Sequence, residues 1–171
     1  MMEPLAQRLL AIPDKAMARA LQLLLEPYVE RMKSCALSTA GLVIKTGGSA
    51  LAKTGSAITH YIANGVKGRI AGSTDMPALA GTVTNAMFNV FVFTVDSGGT
   101  VRVQIGVEGA TEAAIKWPVL DQKRAILGMI IINPTGTGNF VGGTTPLDDA
   151  TVTPNAQYVS PVGVFDPTTK I

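Results

Sequence analysis

The sequence predicts a mainly β protein, an antiparallel β-sandwich or jelly-roll-like barrel, with an N-terminal α-helical segment. Two observations predict this fold class. Up to about residue 34 apolar residues recur at three- and four-residue spacing, and beyond it they alternate with polar residues between turn signals. Many short strands at roughly ten-residue spacing are typical of sandwiches and small barrels. We therefore divide the chain into a helical segment, residues 1–40, which acts as an anchor or oligomer contact, and a β-rich domain, residues 41–171.

The helical segment carries an apolar stripe and is interrupted by proline. Pro4 suits a first helical position, and Asp14, which follows Pro13, suits an N-cap. Pro27 removes a backbone donor, so we expect it to bend the helix or to end it early. The stripe either folds back on the β domain or contacts other copies or a partner. It is formed by Met17, Ala20, Leu21, Leu24, Leu25, Tyr28, Val29 and Met32.

Two β-hairpins are expected in the first half of the β-rich domain. Asn64-Gly65, between strands at residues 57–63 and 66–70, is a strong hairpin signal because both residues tolerate positive φ. The second hairpin joins strands at residues 86–95 and 100–106 through the turn 96–99. Its outgoing strand is apolar on both faces, which predicts a central strand covered on both sides.

The last third of the chain, residues 125–169, contains no Lys or Arg. It opens with a strongly apolar strand at residues 126–132 and continues as a segment rich in Gly, Thr and Pro. We expect further short strands at residues 138–141, 151–152 and 158–164. A stretch with so little charge suits a surface that packs against other protein.

Composition narrows the function classes further. Charged residues make up 15% of the chain, below the typical value of about 25%, and 47% of residues are hydrophobic. This balance argues against disorder and favours an obligate assembly. The net charge of +2, without any Lys/Arg run, predicts no nucleic-acid partner. The apolar stretches are shorter than the roughly 20 residues of a membrane span, so no membrane partner is expected.

Two features could carry chemistry and are better explained otherwise. Residues 47–54 resemble a phosphate-binding loop, but Ala52 stands where the final glycine is needed and no helix pattern follows. We interpret them as an ordinary turn. His60, the single histidine, lies mid-strand without a flanking catalytic elbow, which favours a surface or interface histidine over a general base.

A candidate cation site and the single cysteine are considered in the same way. Asp148 and Asp149, together with Thr144 and Thr145, could ligate a hard cation, but their spacing is not that of a calcium loop. We interpret the two aspartates as a turn that starts a strand. Cys35 has no second cysteine to pair with, so it is expected to pack, in a protein made in a reducing cytoplasm. The sequence thus predicts no enzyme activity and no catalytic, cofactor-binding or metal-binding residues.

Several segments, taken in order, resemble a class of small virion proteins of tailed bacteriophages, the head decoration or head-fibre type. The resemblance covers about 100 residues between 57 and 158 and leaves out the helical segment. It implies a β-rich homotrimer on the virion surface, without catalytic residues. The matching segments are residues 58–65, 78–81, 95–103, 117–118, 127–132, 138–148 and 152–153.

Composition and resemblance together lead to one functional expectation. The chain is expected to be a virion structural protein, made in the host cytoplasm, that binds the major capsid protein as a homotrimer and decorates or stabilises the head. The alternatives are a tail, neck or baseplate component, or a carbohydrate-binding module displayed on the virion. The expected oligomer or core contacts are Leu21, Leu24, Leu25, Phe91, Phe93, Ile130 and Ile132.

Overall fold

The computed structural model describes residues 15–164, apart from the side chains of residues 27, 28, 30 and 31. One α-helix precedes a set of antiparallel sheets, which confirms the predicted mainly β fold with an N-terminal helix. The helix α1 spans Lys15–Met32, and a short 3-10 helix spans Glu112–Ala114. The strands are β1 (Cys35–Ala36), β2 (Val43–Ile44), β3 (Ala52–Lys53), β4 (Thr59–Ala63), β5 (Val66–Ile70), β6 (Thr82–Val83), β7 (Asn89–Val95), β8 (Val101–Ile105), β9 (Ala125–Ile132), β10 (Phe140–Val141) and β11 (Gln157–Val159).

The helix does not end at Pro27. It continues to Met32, so the expectation of an early end is wrong. Proline deletes a single hydrogen bond of the helical ladder, and the remaining bonds hold the last turn. The β structure begins at Cys35, where the periodicity of the sequence changes. The expectations for Pro4, Pro13 and Asp14 fall outside the described residues.

The centre of the molecule is a four-stranded sheet with the order β11-β9-β7-β8. All seven residues of β7 are buried, as are all but one of β9, which confirms two strands covered on both faces. Because side chains alternate along a strand, Phe91, Phe93 and Val95 face one side and Val90 and Val92 face the other. Each face of β7 therefore belongs to a separate apolar cluster.

Both clusters are completed by the chain itself. The larger one lies between the four-stranded sheet and a three-stranded sheet, β1-β4-β5, which gives a sandwich-like arrangement. The smaller one lies on the opposite face, where Ile115, Trp117 and Leu120 cover the sheet. The stretch without Lys or Arg that begins with β9 is thus covered largely by the same chain.

A β-bulge in β9 sets which side chains enter the larger cluster. Phe93 is paired with Gly128 and Thr94 with Ile126, so Leu127 is the extra residue. Its insertion lets both Leu127 and Ile130 enter the larger cluster, although residues three positions apart face opposite sides of a regular strand. Residue 128 must be glycine, since a Cβ there would lie 2.5 Å from Leu42 Cδ1 and 2.7 Å from the Val159 carbonyl oxygen.

The two predicted hairpins are confirmed. β4 and β5 are joined by Asn64 and Gly65, whose φ values of 51° and 78° give the turn both positive φ angles that it requires. β7 and β8 are joined by the turn at residues 96–99. There the Asp96 carboxylate accepts hydrogen bonds from the N–H groups of Gly98 and Thr100, at 3.0 and 2.9 Å.

The C-terminal strands differ from expectation in three places. Residues 151–152 form a turn and not a strand, because the N–H groups of Thr151 and Val152 donate to the side chain of Asp149. The strand expected at 138–141 is shortened to β10. The one expected at 158–164 is reduced to β11 and a single bridge between Gly163 and Ala36.

Candidate functional site

Four of the predicted contact residues belong to the interior of a single chain. Phe91, Phe93, Ile130 and Ile132 are fully buried in the larger cluster. The ring of Phe91 meets that of Phe140 edge-on, with 5.9 Å between the ring centroids. These side chains therefore contact the core and leave no surface for another protein.

The three predicted contacts on the helix lie in a different environment. Leu24 is 63% exposed, while Leu21 and Leu25 are half-buried. Met17, one helical heptad before Leu24, is exposed as well. We call Met17, Leu21, Leu24 and Leu25 the helix stripe. Ala18 is buried, but neither core cluster includes a described helix residue, so the described part of the helix belongs to neither cluster.

Residues 47–51 of the segment that resembles a phosphate-binding loop lie in the turn between β2 and β3, and residues 52 and 53 form β3. The Gly48 N–H donates to both oxygens of the Asp148 carboxylate, at 3.1 and 3.0 Å. The Leu147 N–H donates to the Ser49 carbonyl at 2.9 Å. The loop binds a carboxylate of its own chain and so joins two segments that are 100 residues apart.

Asp149 holds the turn that follows it. Its Oδ1 accepts hydrogen bonds from the hydroxyl and the N–H of Thr151 and from the N–H of Val152. The Thr151 hydroxyl, followed by these N–H groups, lowers the pKa of the Asp149 carboxyl. Thr145 is engaged elsewhere, because its hydroxyl accepts from the Val141 N–H. Within residues 15–164, no three His, Cys, Asp or Glu side chains come close enough to hold a metal ion.

His60 and Cys35 lie in neighbouring strands of the three-stranded sheet. His60 is half-buried in β4, with Arg69 as its partner in β5. Cys35 is buried, and its Sγ lies 3.9 Å from the Met32 carbonyl oxygen at the end of the helix. The prediction that Cys35 packs is therefore confirmed.

Sequence reasoning missed the most extensive polar network of the described residues, which centres on Arg124. Its guanidinium donates to the Asp96 carboxylate at 2.8 Å, to the Thr94 hydroxyl at 3.0 Å and to the carbonyls of Thr94 and Thr100. These bonds tie the residue before β9 to Thr94 in β7 and to both ends of the turn that joins β7 to β8. Arg124 is 9% exposed, so the network fixes the position of this hairpin from within the fold.

Two tyrosines are affected by burial and by a nearby carboxylate. Burial, and then the charge of Asp96, raises the pKa of Tyr61. Burial, and then the charge of Asp148, raises the pKa of Tyr158 to about 12. Both shifts favour the protonated form of the phenol.

Comparisons with known proteins add no assignment. No protein family, curated protein or solved structure matches the chain. Within the described residues, no helix has both the length and the apolar character to cross a membrane.

Proposed function

We propose that this chain is a non-enzymatic structural protein of a tailed-bacteriophage virion, which binds the major capsid protein on the head as a homotrimer and decorates or stabilises it. The observation that carries the proposal is the helix stripe. Leu24 and Met17 expose most of their apolar surface in a single chain that already has a complete core. Contiguous exposed apolar surface is characteristic of a protein–protein contact.

The geometry of an assembly supplies the mechanism. Three helices that pack through their stripes would remove these side chains from water and place three β domains around one axis. Each β domain then presents the same surface to the capsid, so that weak contacts add by avidity across neighbouring capsomers. The low proportion of charged residues and the resemblance of residues 57–158 support the same conclusion.

Light scattering coupled to size-exclusion chromatography tests the trimer. The expected mass is three times the 17.8 kDa of the chain, and a stable monomer would overturn the claim.

Gold labelling of intact virions tests the location. Hundreds of copies over the head are expected, whereas a few copies at one vertex would identify a tail, neck or baseplate component.

The carbohydrate-binding alternative depends on exposed aromatic platforms. The large aromatic side chains Phe91, Phe93 and Phe140 are fully buried, and Tyr61 is nearly so. Phe88, Trp117 and Tyr158 are half-buried. Among the aromatic side chains that the structure describes, this distribution favours the capsid proposal, and specific hits in a glycan-array screen would reverse that preference.

A further inference from the structure

The outer side of β5 is an open sheet edge. β5 is the last strand of the three-stranded sheet, and on that side it pairs with no other strand of residues 15–164. The two-residue turn to β4 closes with the pair Ala63 and Val66, and hydrogen-bonded pairs alternate from there along the ladder. The backbone N–H and C=O groups of Lys67 and Arg69 therefore point away from β4.

The position of His60 supports this assignment of direction. His60 is the partner of Arg69, and its carbonyl accepts from the N–H groups of Leu37 and Ser38 on the β1 side. Its own N–H donates to the Ser38 hydroxyl at 2.8 Å. The backbone of His60 thus faces β1, as it must if Arg69 directs its backbone groups to the open edge.

The charges on this edge have one sign. Lys67 and Arg69 are exposed and lie on the same face of the strand, about 7 Å apart along it. Neither forms an ion pair with any carboxylate in the described part of the chain. A strand added at the edge with acidic residues at alternate positions would place one carboxylate opposite each cation, at the distance of a cross-strand pair.

The other face of the edge requires small or apolar neighbours. A Cβ on Gly68 would lie 2.3 Å from Cζ of Tyr61, so the tyrosine ring fills the space beneath the middle of β5. Val66 at the end of the strand is 50% exposed and offers apolar surface to an added strand. The added segment would therefore alternate acidic residues with valine or threonine.

Charge argues against a second copy of β5 as the occupant. In an antiparallel pair of β5 strands centred on Gly68, Lys67 of one copy would face Arg69 of the other. Like charges directly opposite each other destabilise a sheet. A nucleic acid fits poorly as well, because single strands bind on aromatic platforms and none of Val66, Lys67, Gly68, Arg69 and Ile70 is aromatic.

We propose that the open edge of β5 binds an extended, acidic segment of a partner protein, which adds to the sheet as a fourth strand beside Lys67 and Arg69. Strand addition combines main-chain hydrogen bonds, which supply affinity, with alternating side-chain contacts, which supply specificity. Only the assignment of this acidic segment to the capsid protein rests on the proposed function. Binding at the edge itself can be tested without a virion.

The test uses the full chain and a labelled nine-residue peptide in which glutamate alternates with valine. Fluorescence anisotropy is expected to show saturable binding. Hydrogen exchange of the Lys67 and Arg69 amides is expected to slow in the complex. The double variant Lys67→Glu/Arg69→Glu should bind at least about tenfold more weakly, since both facing charges become repulsive.

Two controls separate strand addition from general electrostatic attraction. The variant Arg102→Glu/Lys116→Glu changes the net charge equally at two exposed residues outside the three-stranded sheet, and should bind as the original chain does. A peptide methylated on the nitrogens that face β5 keeps its charge and should not bind. Equal weakening by both double variants, or undiminished binding of the methylated peptide, would overturn the proposal.

Two further outcomes identify a different occupant. In the first, the original chain binds a DNA oligonucleotide more tightly than it binds the peptide, and the Lys67→Glu/Arg69→Glu variant loses this affinity for DNA. The edge is then a nucleic-acid site. If that variant has a smaller mass in light scattering, the edge is a contact between copies. Either result overturns the inference, whereas failure of virion labelling alone would count only against the proposed function.

Discussion

Two glycines in the loop after β9 differ in what surrounds them. A Cβ on Gly136 would lie 1.3 Å from the Thr151 carbonyl oxygen, while one on Gly138 would meet nothing within 4 Å. Thr137 donates its N–H to the same carbonyl at 3.0 Å, so the loop cannot move away without losing that bond. We expect Gly136→Ala to lower the free energy of unfolding by about 2 kcal/mol and Gly138→Ala to change it by less than about 0.5 kcal/mol. Urea denaturation measures both, and equal effects would contradict the expected contrast.

The Asp96 carboxylate links stability to pH. The Thr100 N–H, and then the Arg124 guanidinium, lower the pKa of Asp96 in the folded protein. The stabilisation is therefore fully present above the unfolded pKa of about 4 and is lost as the pH falls through the lower folded pKa. We expect Asp96→Asn to reduce the melting temperature at pH 7 and to flatten its decline between about pH 4 and pH 2. Thermal melts across this range check the sign.

The variant Asp149→Asn tests whether the pH dependence of stability comes from the turn that contains Asp96 alone. The pKa of Asp149 is also lowered, by the Thr151 hydroxyl and the N–H groups beside it. Asp149→Asn should therefore also flatten the decline of the melting temperature between about pH 4 and pH 2. The double variant Asp96→Asn/Asp149→Asn should flatten this decline more than either single variant. An Asp96→Asn protein with the acid dependence of the original chain would disprove the linkage.

Residue roles were predictable from sequence only where their partners are near in the chain. Asn64 and Gly65 form a turn by their own φ preferences, and the structure has that turn. Arg124 gave no local signal, because its bonds reach residues 24 to 30 positions away. Asp148 likewise pairs with Gly48 across 100 residues, which no local pattern encodes.

Among the elements, the long apolar strands were predicted well and the short ones poorly. β7 and β9 are marked by continuous apolar runs, and burial on both faces follows from them. β2 and β3 have two residues each and depend on pairing with each other, so they carry little signal of their own. At residues 151–152 a side-chain acceptor, Asp149, replaced the sheet partner that a strand would need.

Leu23 and Leu24 are two exposed leucines on different sides of the helix, so their variants can be compared directly. Leu24 is 63% exposed and belongs to the helix stripe, whereas Leu23 is 69% exposed and lies 100° around the helix, off the stripe. Because both side chains are exposed in one chain, Leu24→Glu and Leu23→Glu should have similar monomer stability. We expect only Leu24→Glu to dissociate the oligomer, with at least about tenfold weaker association as measured by analytical ultracentrifugation. Equal dissociation by both variants would rule out the stripe as the contact.

At the scale of the whole molecule, the sequence predicted that both faces of the central strands are buried, but not which residues bury them. The apolar run of β9 requires burial on both faces, and either a second chain or the same chain could supply it. The structure uses its own three-stranded sheet on one face and Ile115, Trp117 and Leu120 on the other. The location of the partner surface therefore depends on which apolar residues remain exposed, and this is a property of the complete fold.

Removal of the helix tests whether residues 1–32 are needed for oligomer formation, for folding, or for both. The shortened chain should begin at Lys33, because the Lys33 carbonyl accepts from the Gly65 N–H and the Ser34 hydroxyl accepts from the Asn64 N–H. Neither core cluster includes a described helix residue, so we expect a chain without residues 1–32 to keep the β-sheet circular dichroism and cooperative unfolding of the full chain. It should be monomeric in light scattering and should not bind virions.

The opposite result for each readout has a definite meaning. Loss of cooperative unfolding would show that residues 1–32 are part of the core, and a folded trimer would place the oligomer contact in the β domain. The edge of β5 remains in the shortened chain, so this chain should still bind the acidic peptide, with the affinity of one isolated site. Since avidity multiplies the affinities of linked sites, a monomer that keeps peptide binding but loses virion binding would show that the helix supplies multivalency, while the β domain supplies recognition.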